Sequence, residues 1–292
     1  MVQIGVAKGL LSEEKSQQLP LNHGFVSLRT FRLRLSGAKV LIGDAGENTG
    51  YGGGINRWLK PLADVQWPGV FVLNPDAAPD ADALAKLKQY AEANNKGMVA
   101  GKIVFADNPD KIQTRGLRFR PWRMVTEAVG KHASSSEKPN IQELERILDA
   151  PSGAAFYVTR ACIDRIGLMR EDYFLYYEDL DWGRKAKKSC GIGYAFDAKV
   201  VHKGGTTIGS GGKRDGSPFS SYLEFRNRIL FVRREMPLWT AWALGLSLLR
   251  AIEFLAYRRP DKAMAALHGI ADGVRGRSGR PDALLIRHLR DG

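Results

Sequence analysis

Several things are scarce in this chain. Its 292 residues include two cysteines, Cys162 and Cys190, and no C-x-x-C pair. That excludes a disulfide-stapled scaffold and a zinc ribbon, and a reducing, cytoplasmic setting fits best. Acid is scarce relative to base: 31 Asp and Glu stand against 44 Lys and Arg, a formal charge of +13. Such a surplus implies an anionic partner. Nucleic acid is the poorest candidate, because no zinc-finger, RNP or helix-turn-helix pattern accompanies the charge. Residues 1–18 lack a basic head followed by an apolar core, so no signal peptide is expected. Long apolar runs are missing as well. The longest uncharged one, Met236 to Leu249, has 14 residues, whereas a spanning helix needs about 20. With Trp239 and Trp242 along it and Arg258-Arg259 beyond, this segment is expected to lie in a membrane interface. A core or dimer-interface helix is the alternative.

What is present reads as a folded α/β chain. Hydrophobic residues make up 44% and charged ones 26%, an ordinary globular balance. The length suits one large domain, or a domain with an appendage. From Lys39 onward, short β-branched runs alternate with helical patterns. Strands are expected at 39–42, 69–73, 98–105 and 194–201, with helices at 55–62, 83–94 and 141–148. That rhythm argues for a mostly parallel sheet. The expected division is a catalytic-type domain over 1–235, whose first 38 residues are atypical, and membrane-surface helices with a basic tail over 236–292.

Four stretches could carry chemistry. Asn48 to Asn56 is a glycine-rich loop ahead of a helix, where backbone can approach an anion closely, or where glycine only makes a turn. Asn74-Pro75-Asp76 puts a carboxylate past the end of a buried strand, the edge where open sheets bind ligands. Such a carboxylate can hold Mg²⁺ or Mn²⁺, or merely cap a turn. Phe174 to Trp182 gathers Glu178, Asp179 and Asp181 behind an aromatic run. At a helix start these acids suit the dipole, and one of them beside an apolar wall suits a general base. His202 follows the last strand and is a plausible ligand at the same sheet edge.

In this order, Asn48–Asn56, Leu73-Asn-Pro-Asp76, Ser152-Gly-Ala-Ala-Phe156, Tyr177-Glu-Asp-Leu-Asp181 and Val201-His202-Lys-Gly-Gly205 resemble the family 2 glycosyltransferases of the GT-A fold. The likeness is nearest to the rhamnosyltransferase-like branch that builds bacterial surface polysaccharides, and it spans about residues 39–235. The resemblance implies an inverting transfer from a nucleotide-diphosphate sugar (UDP or dTDP) to a hydroxyl of a lipid-linked glycan, at the cytoplasmic face of the inner membrane. It implies Asp179 as base with Glu178 and Asp181 beside it, and Asp76 and His202 as ligands of Mg²⁺ or Mn²⁺. It implies donor contacts at Asn48, Gly50, Gly53, Asn56, Asn74, Asp76, Arg226 and Arg228. Ser152, Gly153, Ala154 and Trp182 fall on the acceptor side. The family normally opens with a strand ending in Thr-Tyr-Asn that binds the nucleobase, and residues 1–38 hold no match for it. A transferase relic that only binds glycan or anionic membrane is therefore the competing expectation.

Overall fold

Strands form where β-branched and aromatic residues run together. The computed structural model describes residues 11–14, 24–204 and 216–282. Strands β1 (Leu11–Glu14), β2 (Ser27–Leu33) and β3 (Lys39–Asp44) make an antiparallel three-stranded sheet of their own. The main sheet is built from β4 (Gly69–Leu73), β5 (Ala77–Pro79), β6 (Met98–Phe105), β7 (Ile112–Thr114), β10 (Ala155–Thr159) and β11 (Ile192–His202). A hairpin of β8 (Leu117–Arg120) and β9 (Val125–Ala128) stands apart.

The main sheet runs β4-β10-β6-β11-β5, with β7 on the later half of β6. It is mixed, as the GT-A resemblance implies, but mostly antiparallel where a mostly parallel sheet is expected: among the described residues only β6 and β11 run parallel. Strand β10 begins where β4 ends, Ala155 opposite Leu73, and so must run against both of its neighbours. The strand at 39–44 forms as expected but joins β2, not the main sheet. Among the described residues β4 therefore has a strand on one side only.

Helices α1 (Gly50–Leu59) and α2 (Ala83–Ala93) pack on opposite faces of the main sheet. Alternation along β4 sorts the contacts. Val70 and Val72 meet Tyr51, Ile55 and Leu59 of α1, while Phe71 sits with Leu87 and Ala91 of α2. Shorter helices α3 (Ile141–Ile147) and α4 (Arg160–Ile166) precede α5 (Glu178–Ser189). Last come α6 (Pro218–Glu235), α7 (Thr240–Ala256) and α8 (Pro260–Arg275).

These last helices share their cores with the rest of the chain. Phe225 of α6 packs with Ala251 and Phe254 of α7 and with Ala266 and Ile270 of α8. Ile229 and Phe231 join Ala243 of α7 to Tyr173 and Leu180. Gly269 lets α8 close on α6, since a Cβ there would lie 2.4 Å from the Tyr222 carbonyl oxygen.

Candidate active site

The run Tyr173–Tyr177 has to turn sharply before α5 begins. Phe174, Tyr176 and Tyr177 all adopt positive φ, at 66, 70 and 76°. Such backbone is costly for bulky residues and persists only where neighbours hold it. The clamp is Asn227, wholly buried on α6. Its Nδ2 donates to the carbonyls of Tyr173 (2.9 Å), Leu175 (2.7 Å) and Tyr176 (3.0 Å). Arg226 adds a bond to the Tyr173 carbonyl at 2.8 Å, and the Tyr51 amide donates to that of Phe174 at 2.8 Å. Gly50, at φ 77°, backs directly onto the Phe174 carbonyl and leaves no room for a Cβ.

The clamped turn delivers two adjacent carboxyls at the start of α5. Asp179 accepts from the amides of Gly153 (3.1 Å) and Leu180 (2.8 Å) and lines a cavity of about 540 Å³. Burial pushes it above the ordinary aspartate range, and those two amides hold it back. Glu178 is buried with Oε2 unpartnered. Burial first, and the Asp179 charge second, push it up to about 8. Tyr51 completes the cluster: its hydroxyl donates to the Gly153 carbonyl, and its pKa is raised by burial and then by Asp179 and Glu178. A raised carboxyl facing a cavity, with neutral partners around it, is equipped to take a proton from a bound hydroxyl.

One residue further along the same turn, the Ala154 carbonyl accepts from the Asn74 amide at 2.9 Å. This links the turn that holds Asp179 to the loop that carries Asp76. Asp76 Oδ1 lies 3.2 Å from His202 Nε2. Gln113 sets the ring: its Nε2 donates to the His202 carbonyl at 3.4 Å, which leaves Oε1 facing Nδ1 at 2.6 Å. The ring thus has an oxygen on each side, Gln113 Oε1 at Nδ1 and Asp76 Oδ1 at Nε2, which fixes its orientation. No cluster of three or more His, Cys, Asp or Glu side chains occurs among the described residues. An ion held here would have two protein ligands, one oxygen and one nitrogen, and would complete its shell from substrate oxygens and water. This donor set fits Mg²⁺ or Mn²⁺ shared with a diphosphate.

Other expected site residues are spent elsewhere. Trp182 belongs to the core, not the acceptor side: its indole donates to the Gly167 carbonyl at 2.9 Å and its ring meets Phe156 edge-on. Asp181, two residues on from Asp179, faces the other way and binds Tyr173 (2.9 Å), Lys185 (3.1 Å) and Arg234 (3.6 Å). Asn56 is buried and ties α1 to the Met169 backbone and to Glu171. Asn48 caps its own turn through the Gly50 amide at 3.0 Å, and a Cβ at Gly53 would strike Thr49. The glycine-rich loop thus works as a close-packing surface that places Tyr51. Ser152 stabilises its turn through the Ala154 amide. Arg226 and Arg228 point to different cavities, and only Arg228 shares that of Asp179, paired there with Glu224 at 2.7 Å. Tyr51, Gln113 and Asn227 escape the sequence reading.

No family model matches the chain. It is 22% identical over 252 residues, 82% of its length and 78% of the relative's, to the low-salt glycan biosynthesis hexosyltransferase Agl10 of Haloferax volcanii. That relative is archaeal, so the likeness carries no bacterial setting. The likeness supports a glycosyltransferase.

Proposed function

We propose that the chain moves a hexosyl group from a nucleotide-diphosphate sugar, UDP- or dTDP-linked, to a hydroxyl of a lipid-linked glycan, with inversion at the anomeric carbon. The observation that carries this reading is the link, through the Ser152–Ala154 turn, of a raised carboxyl on a cavity with the Asp76–His202 pair. Asp179 takes the proton of the acceptor hydroxyl as its oxygen bonds to the anomeric carbon. The anomeric carbon–phosphate oxygen bond breaks on the opposite face, and the nucleoside diphosphate leaves. One base opposite the leaving group gives inversion in a single displacement. Asp76 and His202 would hold Mg²⁺ or Mn²⁺, which supplies charge to the departing diphosphate. Gln113 keeps His202 turned toward that position.

A membrane surface is the setting we propose. The stretch Pro237–Ala256 is 20 residues long and apolar enough to cross a membrane by length and composition, longer than the uncharged run alone indicates. Its polarity is inverted for a surface helix. Ser247, Arg250 and Glu253 face the protein, whereas Trp242, Leu248, Leu249, Ile252 and Leu255 face out. Trp122, 72% exposed at the tip of the β8–β9 hairpin, extends this apolar face, fastened by the Trp242 indole at 3.0 Å. Exposed Arg123 and Arg258 border it, which suits an anionic bilayer.

The decisive measurement is nucleoside-diphosphate release with donor and acceptor both present. Asp179→Asn is expected to lower kcat by about 10³-fold, within the range for loss of a general base, and to leave donor binding nearly unchanged. Full activity in that variant sinks the reading. One observation favours a second reading, a relic that only binds: β4 lacks a strand on one side among the described residues, where the family's opening unit would pair. Absence of any UDP- or dTDP-sugar binding with Mn²⁺ by calorimetry would favour the relic.

A further inference from the structure

Behind the clamped turn lies a second cavity, of about 480 Å³, between α6, α8 and the segment that follows α8. Its walls set Arg226, Arg275, Arg277 and Arg280 against Asp272 and Asp282. The carboxylates do not offset the cations. Asp272 already accepts from the Tyr222 hydroxyl at 2.9 Å and is shared by Arg277 at 3.3 Å and Arg275 at 3.8 Å. Arg280 makes no ion pair among the described residues.

Arg226 sharpens the imbalance. It is 1% exposed, and no carboxylate of the described residues lies within ion-pair distance of it. Its N–H groups reach Asn227 Oδ1 (3.0 Å) and the carbonyls of Gly279 (2.9 Å) and Tyr173 (2.8 Å). These neutral oxygens solvate the guanidinium, while Asp272 and Asp172 act on it only from beyond ion-pair distance, so no direct ion pair offsets a buried cation. Guanidinium forks match phosphate oxygens in pairs, so a cluster of them around one cavity selects a phosphate over a lone carboxylate.

We propose that this cavity binds a phosphate or diphosphate group, at a place separate from the transfer site. The site stands whether or not the chain transfers sugar. The phosphate can come from solution or from a lipid headgroup. The same α8 that contributes Arg275 to the cavity presents exposed Met264, Leu267 and Val274 along one side, which suits the second source. Occupancy would also brace the catalytic turn. Arg226 bridges the cavity to the Tyr173 carbonyl, and the Gly279 amide donates to that of Asp172.

The test is calorimetric titration with sodium pyrophosphate in EDTA, so that the Asp76–His202 position holds no divalent ion. Wild-type protein should bind saturably, and Arg277→Ala/Arg280→Ala should bind at least about tenfold more weakly, about the loss of one charge-assisted bond. Arg277 is largely exposed, so that variant keeps the fold. Asp76→Asn/His202→Ala should bind as wild type. Absence of saturable binding, equal affinity in the double arginine variant, or loss in the Asp76 variant each overturns the proposal. Vesicle flotation separates the sources. If the arginine variant leaves phosphatidylglycerol vesicles while wild type stays on them, the phosphate is a headgroup's. Unchanged flotation beside weakened pyrophosphate binding assigns a soluble phosphate.

Discussion

Glu178, Asp179 and Asp181 occupy a single turn of α5, yet its two sides treat charge in opposite ways. On the inner side, Asp181 is wholly buried, with its Oδ2 accepting from the Tyr173 hydroxyl and with two cations beside it, Lys185 at 3.1 Å and Arg234 at 3.6 Å. Arg234 extends this side to Asp172 at 2.8 Å. Asp179, on the cavity, has only backbone amides as donors among the described residues, and buried Glu178 beside it keeps an unpartnered oxygen. A carboxylate given counterions serves the fold as part of an ion-pair cluster. One denied them is raised toward the range where it can exchange a proton. Charge compensation, more than residue type or spacing, separates scaffold from chemistry here.

The contrast can be broken from either side. The largest expected effect is on the cavity side, the roughly 10³-fold loss in kcat for Asp179→Asn, or about 4 kcal/mol of barrier at 1.36 kcal/mol per decade. Next comes the compensated side. Asp181→Asn leaves Lys185 and Arg234 short of a buried anion and is expected to cost about 3 kcal/mol of stability, read by denaturant unfolding. Its kcat per folded molecule should stay within about threefold, because the residue acts through the fold. A catalytic collapse without a stability loss would reverse the assignment of roles. Smaller still, Gln113→Leu should weaken Mn²⁺ binding in the presence of UDP by about 10–100-fold, the usual effect of removing a partner that orients a ligating histidine. Unchanged affinity would show that His202 needs no such partner.

The mildest effect concerns Glu178. Its folded pKa of about 8 lies above its ordinary 4.5, so between those values the folded chain holds a proton that the unfolded chain releases. Its contribution to stability is therefore present at low pH and lost as pH rises through that window. Glu178→Gln should flatten this dependence, raising Tm relative to wild type by roughly 3–8 °C at pH 8.5 and by little at pH 5. Parallel Tm curves would show that Glu178 is ionised in the fold.

Much of the framework is legible in the residues because it rests on local patterns. The apolar runs at 69–73 and 98–105 become β4 and β6 over those residues, and the periodic segment from Ala83 becomes α2. Asp76, Asp179 and His202 stand out because unusual residues cluster at strand ends and a helix start. The parts that escape depend on contacts between distant segments. Asn227 reaches back 54 residues to Tyr173, Gln113 forward 89 to His202, and Tyr51 forward 102 to Gly153. A lone Gln or Tyr carries no local mark of such a partner. Trp182 and Asp181 mislead for the converse reason: they lie within the motif in sequence but project to the core side of the helix.

The excess of base over acid and the order of the motifs are properties of the chain alone. The first implies an anionic partner, and the second carries the resemblance to glycosyltransferases. Tertiary structure decided which carboxylate meets a counterion and which meets a cavity, and it sorted Arg226 and Arg228, two residues apart on α6, into different cavities. It also set β3 with β2 and left β4 open on one side among the described residues. The reason is the same throughout: composition sets how many charges and apolar faces must be satisfied, and only packing determines which neighbour satisfies each one.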